Sequence, residues 1–141
     1  MKNKNERGQS LVELAISLVV LLYLLSGATE FALAFFQFVQ LRDAAQEGAL
    51  YGSLNPDDSA GIISRVRNSS NSPLDLSIND VNTGATVTVN FPDGDSCEGD
   101  GIEVVVRHDH AIFMPFMKQI LNRQYITLTA RVTDTILYQS C

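Results

Sequence analysis

The sequence predicts an α+β fold in which a long N-terminal apolar helix packs against a small antiparallel sheet. Three observations lead to this expectation. The first third of the chain is largely apolar and has no proline from Ser10 to Tyr51. The segment Asn55 to Asn82 is instead rich in Ser, Asn and Asp. Farther on, apolar and polar residues alternate, as in a sheet with one buried face. The composition thus divides the chain near Gly52 into a hydrophobic helix and a polar head.

A short polar leader, Met1 to Arg7, precedes the helix and carries three basic residues. Gly8 follows, and Glu13 stands directly before the uncharged run from Leu14 to Thr29. Because an acidic residue inside a membrane span costs about 2.5–3.5 kcal/mol, this position indicates a function. The order of leader, Gly8, Glu13 and apolar run resembles the processing site of type IV pilin-like prepilins. The resemblance implies that a membrane peptidase cleaves after Gly8 and that Glu13 becomes the fifth residue of the mature chain.

The helix is predicted over residues 9–52, where Leu, Ala, Glu and Gln lose little rotamer freedom on folding. Between Glu13 and Arg42 the only charged residue is Glu30, so this part of the helix needs lipid or other helices on every side. At 1.5 Å per residue the helix would be roughly 65 Å long, about twice the thickness of a bilayer core. One end must therefore project from the membrane. The basic leader predicts a cytoplasmic N-terminus and an extracytoplasmic head.

Two other interpretations of the N-terminus stay open. A secretory signal peptide also joins a basic start to an apolar core, and Ser26 to Ala28 would supply a weak cleavage site. Against it, the helical pattern continues through Phe31 to Leu41. An uncleaved single-span anchor carrying an extracytoplasmic binding domain fits the length, but it leaves Glu13 unexplained.

Cleavage would give Glu13 a partner. It creates a new α-amino group on Gln9, with which the Glu13 carboxylate of a neighbouring subunit could pair in a low-dielectric bundle. Breaking a buried pair by removing one member costs about 3–5 kcal/mol. We therefore expect Glu13 to set the register between subunits as well as to direct processing.

Small residues recur at helical spacing in the second half of the helix, where another backbone can approach closely. The strip consists of Ala45, Gly48, Ala49 and Gly52. The approaching backbone belongs either to another subunit or to the chain's own head.

A series of short motifs follows in order along the helix. They are Arg7-Gly8-Gln9, Val12-Glu13, Glu30-Phe31, Ala34-Phe35-Phe36, Ala44 to Ala49, and Tyr51-Gly52. With these motifs, residues 7–52 resemble the TadE-like family of tight-adherence pilus systems. The resemblance implies a minor pilin or pseudopilin that acts in pilus assembly or priming, and it implies no enzymatic activity.

The same resemblance implies partners and site residues. The partners are a prepilin peptidase, other pilin subunits, the pilus assembly platform and the lipid bilayer. Processing would depend on Gly8, Gln9 and Glu13. Assembly and helix packing would depend on Glu13, Glu30, Ala45, Gly48, Ala49 and Gly52. The predicted organisation is a leader at 1–8, the helix at 9–52 and the extracytoplasmic head at 53–141.

The head is predicted to hold four strands and two short helices. Period-two alternation covers residues 74–78, 85–91, 102–107 and 126–132. One helix should begin at Asn55-Pro56-Asp57, which supplies a cap and a first-turn proline, and run to about Arg67. A second helix follows Pro115 as far as Leu121. We expect the sheet to lie on the outer half of the long helix, so that both apolar faces are buried.

The two cysteines, Cys97 and Cys141, favour a disulfide in an extracytoplasmic head. Such a bridge would close a loop of about 45 residues and stabilise the head by roughly 4 kcal/mol on the chain-entropy model. Two free thiols are the alternative if the head is cytoplasmic.

Other patterns predict no chemistry. The formal net charge of −6 argues against nucleic acid as a partner. The acidic loop Asp93 to Asp100 lacks the ordered ligands of a calcium loop, and we expect a solvated turn. His108 and His110 alternate, so both imidazoles should lie on one face of a strand, but no motif places a third zinc ligand beside them. With Asp109, we interpret them as polar residues at a strand end. The sequence contains no hydrolase, nucleotide-binding or metalloprotease motif. We therefore expect no catalytic site, metal or cofactor.

Overall fold

A computed structural model describes residues 5–70, 74–76 and 85–138. Six elements follow one another along the chain. They are α1 (Asn5–Leu54), α2 (Ser59–Asn68), β1 (Thr86–Asn90), β2 (Gly101–Ala111), α3 (Pro115–Leu121) and β3 (Tyr125–Thr135). The long apolar helix packs on a small three-stranded antiparallel sheet. This is an α+β layout like that of type IV pilins, as the sequence predicts.

The chain divides into two compact units. The first unit combines Met1–Leu33 with Ile112–Gln124, and the second combines Ala34–Ala111 with Tyr125–Cys141. The helix α1 therefore contributes its N-terminal part to one unit and its C-terminal part to the other.

In the first unit, α1 leaves its apolar side chains uncovered. The helical segment Gly8–Leu54 is long and apolar enough to cross a membrane, and the described residues bury none of its most apolar stretch. The large exposed side chains here include Leu11, Leu14, Leu18, Leu22, Leu25 and Phe31. Since exposed apolar surface of this extent does not persist in water, lipid or other helices must cover it.

In the second unit, β2 is the central strand and pairs antiparallel with both neighbours. Val104 lies opposite Val89 on β1 and opposite Val132 on β3. The even-numbered apolar residues of β2 share one face because successive side chains on a strand point to opposite sides. That face is fully buried, in one core with side chains of α1 and α2. The core includes Leu41, Ala45, Ala49, Ile62, Val66, Ile102, Val104 and Val106.

The structure corrects two expectations about the head. The predicted strand at 74–78 is wrong over its described part, because Leu74 and Leu76 lie in irregular structure; Ile78 lies outside the described residues. Both leucines are nevertheless buried in the core. Local bonds replace strand pairing here, since Ser70 Oγ donates to the Leu74 carbonyl and Leu76 N donates to the Ser70 carbonyl. The alternation therefore reflected burial of the two leucines.

The second correction concerns the start of α2. Asn55 continues the end of α1, because its amide donates to the Tyr51 carbonyl. A turn follows, and Asp58 rather than Asn55 caps α2. The other predicted elements lie within one to four residues of the observed bounds, and α3 covers the predicted Pro115–Leu121.

Candidate membrane and assembly site

The predicted processing residues all lie on the exposed surface of α1. Gly8, Gln9 and Glu13 are exposed, within the helix and before the apolar run. A Cβ atom built on Gly8 would meet nothing within 4 Å. Glycine costs about 1 kcal/mol relative to alanine in a helix interior, and no packing against the described residues requires it here. The glycine is thus better explained by an external requirement than by the fold.

Glu30 is buried, in contrast to Glu13. Only 3% of Glu30 is exposed, and its two carboxylate oxygens accept hydrogen bonds from Phe113 N and Met114 N, each at 3.0 Å. All three residues belong to the first unit. Charge-assisted bonds of this kind are roughly twice as strong as neutral ones. Glu30 therefore fastens the chain that enters α3 to the long helix.

The Glu30 bonds also cap the N-terminus of α3, which has no side-chain capping bond of its own. Met114 occupies the N-cap position and makes no side-chain capping bond. The Glu30 carboxylate satisfies the Met114 amide instead, and a negative charge beside a helix N-terminus is favourable. The partners lie 83 and 84 residues from Glu30 along the chain, and no local sequence signal connects them.

The small-residue strip packs inside the second unit. Ala45, Gly48, Ala49 and Gly52 are all buried. A Cβ at Gly48 would collide with Val66 Cγ2 of α2, and one at Gly52 would lie 2.6 Å from Ile102 Cδ1 of β2. The structure thus places the strip against the chain's own α2 and β2, where the absence of side-chain bulk lets these elements approach α1.

His108 and His110 share the buried face of β2, whereas Asp109 points the other way. His110 Nδ1 lies 2.7 Å from Gln37 Oε1 on α1, and Asp109 Oδ1 accepts a bond from Thr127 Oγ1 on β3. His110 thus belongs to the packing between β2 and α1, and His108 is buried on the same face of β2. Within the described part of the chain, no group of three or more His, Cys, Asp or Glu side chains could hold a metal ion.

Asp58 forms a capping site that the sequence prediction did not include. Asp58 Oδ1 accepts a bond from Gly61 N at 2.9 Å, and Oδ2 accepts one from the Tyr51 hydroxyl at 2.8 Å. These two bonds, the Gly61 amide first, lower the pKa of the Asp58 carboxyl. An Asp directly before a helix is a recognised cap, so the Asp58-Ser59 pair was a usable signal.

The acidic loop forms a turn. Asp93 Oδ2 accepts a bond from Gly101 N, and Gly94 N donates to the Phe91 carbonyl. Gly94 and Gly99 have positive φ angles, a conformation that favours glycine. The loop side chains therefore shape the connection into β2.

The loop that contains Cys97 is tied to the chain that follows β3. Gly99 N donates to the Ile136 carbonyl, and Ile136 N donates to the Asp100 carbonyl, both at 2.9 Å. Cys97, the cysteine that the structure describes, is not a free thiol. Cys141 lies outside the described residues, so its pairing with Cys97 stays a prediction.

The comparisons with known proteins bear on the long helix. No curated protein and no solved structure matches the chain significantly. A family model does match: residues 8–50 fit that of the TadE-like proteins. The matched segment contains Gly8, Glu13 and Glu30 and most of the small-residue strip. The match confirms the resemblance predicted from the sequence, identifies residues 8–50 as a TadE-like segment and suggests a protein associated with the tight-adherence pilus.

Proposed function

We propose that this chain is a minor pilin or pseudopilin of a tight-adherence pilus system. In this proposal a prepilin peptidase removes residues 1–8, the N-terminus faces the cytoplasm, and the head at 53–141 is extracytoplasmic. The protein then acts with other pilin subunits and the assembly platform in pilus assembly or priming. The observation that carries the proposal is the TadE-like match on a helix whose apolar surface the protein itself leaves uncovered.

The uncovered surface suits a helix that has two successive environments. Lipid covers the apolar side chains before assembly, and neighbouring helices cover them afterwards. Because lipid tails are as apolar as leucine side chains, the hydrophobic effect does not favour one environment over the other. Close packing and polar pairs must then decide whether subunits associate.

Glu13 is the polar group best placed to favour association between subunits. It is exposed on α1, whereas the carboxylate of Glu30 is already bonded within the chain. The α-amino group that cleavage would create on Gln9 is a cation of the kind Glu13 needs. Pairing between subunits would satisfy both charges, so cleavage and assembly would be coupled.

Replacement of Glu13 tests this coupling. Glu13→Ala should insert into the membrane normally, because it removes a charge from the apolar region. It should assemble poorly, because loss of a buried pair costs about 3 kcal/mol or more, roughly a hundredfold in the association constant. The measurement is the amount of sheared pili, or of cross-linked assembly complex, in a piliated host. It is divided by the amount of membrane-inserted protein that begins at Gln9, because Glu13 is also a predicted processing residue.

Ser17→Ala is the matched control, because it removes a polar group from the same exposed stretch of α1 without altering charge. It should assemble normally. Assembly of Glu13→Ala at the level of the Ser17→Ala control would exclude the pairing. The alternative function, an uncleaved membrane-anchored binding domain, predicts instead that neither variant enters sheared pili or a cross-linked assembly complex.

A further inference from the structure

The connection between β2 and β3, Ile112–Gln124, exposes large apolar side chains. Phe113 is 77% exposed and Ile120 is 65% exposed, and Leu121 is also exposed. The connection is nevertheless ordered at both ends, since Ile112 is buried and its amide donates to the Gln124 carbonyl. A defined structure thus presents a cluster of apolar side chains outward.

Glu30 fixes the level of this cluster along α1. The bonds from Phe113 N and Met114 N to the Glu30 carboxylate join the β2–β3 connection to α1 at that residue. Glu30 follows Glu13 by 17 residues, or roughly 25 Å of helix. A bilayer core is about 30 Å thick. If Glu13 lies at one boundary of the core, Glu30 lies near the other, and the cluster lies there with it.

The charge of the connection fits the same location. Ile112–Gln124 contains two basic residues, Lys118 and Arg123, and no acidic residue, although the whole chain has a formal net charge of −6. Both basic side chains are exposed. Basic side chains beside apolar ones are typical of segments that lie in the headgroup region of anionic membranes.

We propose that the β2–β3 connection is a second membrane-contacting element, which inserts Phe113 and Ile120 into the bilayer boundary and places Lys118 and Arg123 among anionic lipid headgroups. The proposal rests on the part of the proposed function in which α1 spans the bilayer. The connection would then fix the depth and rotation of α1 at Glu30 before the subunit leaves the membrane.

Single tryptophans test this contact, because the chain has no tryptophan of its own. The probes are Phe113→Trp and Ile120→Trp in the full chain, reconstituted at low protein density into phosphatidylcholine vesicles with or without phosphatidylglycerol. We expect blue-shifted emission, quenching by lipids brominated near the headgroup and protection from aqueous iodide. Quenching by the brominated lipids should be stronger in vesicles that contain phosphatidylglycerol. When Lys118→Gln and Arg123→Gln are added to a tryptophan variant, this increase should be lost.

Two further probes calibrate the result. Leu18→Trp lies within the apolar run and should be quenched by deeply brominated lipids. Tyr138→Trp should be quenched by iodide, because Tyr138 is 80% exposed and belongs to the head, which the proposed function places outside the membrane.

The outcomes separate the two proposals. If Leu18→Trp is protected in lipid but both connection probes respond to iodide like Tyr138→Trp, the connection does not contact the membrane while the anchor stands. If protection of the connection probes appears only as protein density rises, a second copy of the chain covers the cluster, and the lipid contact is wrong. If Leu18→Trp itself is accessible to iodide, α1 does not span the bilayer and both proposals fail.

Discussion

Two carboxylates, Glu13 and Glu30, lie on the long apolar helix, and they differ in burial and in hydrogen bonding. Glu30 is buried and accepts two backbone hydrogen bonds, so the chain itself meets the cost of placing an acid there. Glu13 is exposed, as are the residues around it, in the part of the chain that the structure describes. A role in the fold therefore explains Glu30, whereas Glu13 requires an explanation outside the single chain.

The role of Glu30 leads to a prediction about the β2–β3 connection. Glu30→Ala removes both acceptors and should destabilise the first unit by about 2 kcal/mol, the scale of hydrogen bonds to a charged group. Glu30→Gln keeps one acceptor and should have a smaller effect. Limited trypsin digestion of the detergent-solubilised protein measures the effect. Cleavage at Lys118 and Arg123 should be fastest in Glu30→Ala, slower in Glu30→Gln and slowest in the wild type.

Glu47→Ala serves as the control for Glu30. Glu47 lies on α1 like Glu30, but it is exposed and pairs with Arg65 of α2 at 3.7 Å. Loss of such a surface pair should leave cleavage at Lys118 unchanged. Equal digestion rates for Glu30→Ala and Glu47→Ala would show that the Glu30 bonds do not hold the connection.

At the scale of elements, the small-residue strip explains how α1 joins the head. Gly48 and Gly52 lie where α2 and β2 come closest to α1. The two positions differ in what an added methyl group would meet. At Gly48 the obstacle is the stiff, β-branched Val66, and at Gly52 it is the far end of Ile102, which can move.

This difference predicts a ranking of alanine substitutions. Alanine gains about 1 kcal/mol of helix propensity over glycine, and overpacking costs about 1–3 kcal/mol. Gly48→Ala should therefore be destabilised by about 1 kcal/mol, and Gly52→Ala should be close to neutral. Gly27→Ala should be neutral or stabilised, since a Cβ there meets nothing within 4 Å. Denaturant unfolding followed by circular dichroism measures all three.

Val66→Ala provides the matching test, because it removes the obstacle to a Cβ at Gly48. The loss of unfolding free energy caused by Val66→Ala should be smaller in the Gly48→Ala variant than in the wild type. If Gly48→Ala is as stable as Gly27→Ala, the strip does not control the approach of α2 to α1.

The elements differed in how well the sequence predicted them. The long helix was predicted from the proline-free apolar run. Two strands were predicted from the alternation at 102–107 and 126–132. These patterns arise directly from the burial of apolar side chains. The same alternation was misleading at Leu74 and Leu76, whose burial does not need strand pairing. The Glu30 bonds and the contact between Gln37 and His110 were not predictable, since each joins residues more than 70 positions apart.

At the scale of the whole molecule, α1 serves two purposes along its length. Its C-terminal part, from Ala34, supplies one wall of the head core. Its N-terminal part leaves its apolar surface for lipid or for other subunits. The proposed extracytoplasmic head needs internal stability, and its last segment is tied back to the Cys97 loop by the backbone hydrogen bonds of Ile136.

The proposed disulfide between Cys97 and Cys141 would reinforce that tie. Peptide mass spectrometry without reductant should recover the two cysteines as one cross-linked peptide. The double variant Cys97→Ser/Cys141→Ser should lose roughly 4 kcal/mol of unfolding free energy on the chain-entropy model. Alkylation of both thiols in the unreduced, natively expressed protein would contradict the bridge.

Processing after Gly8 is the event on which the pilin function depends, and the N-terminus of the membrane-extracted protein tests it most directly. Gly8→Leu is the test variant and Gly27→Leu is its control. A Cβ at either position meets nothing within 4 Å, so neither change should disturb the fold. Intact-mass and N-terminal peptide spectrometry, in a host with an active prepilin peptidase, should find a chain that begins at Gln9 for the wild type and for Gly27→Leu, and an uncleaved chain for Gly8→Leu. A wild-type chain that retains residues 1–8 in that host would contradict the proposed function.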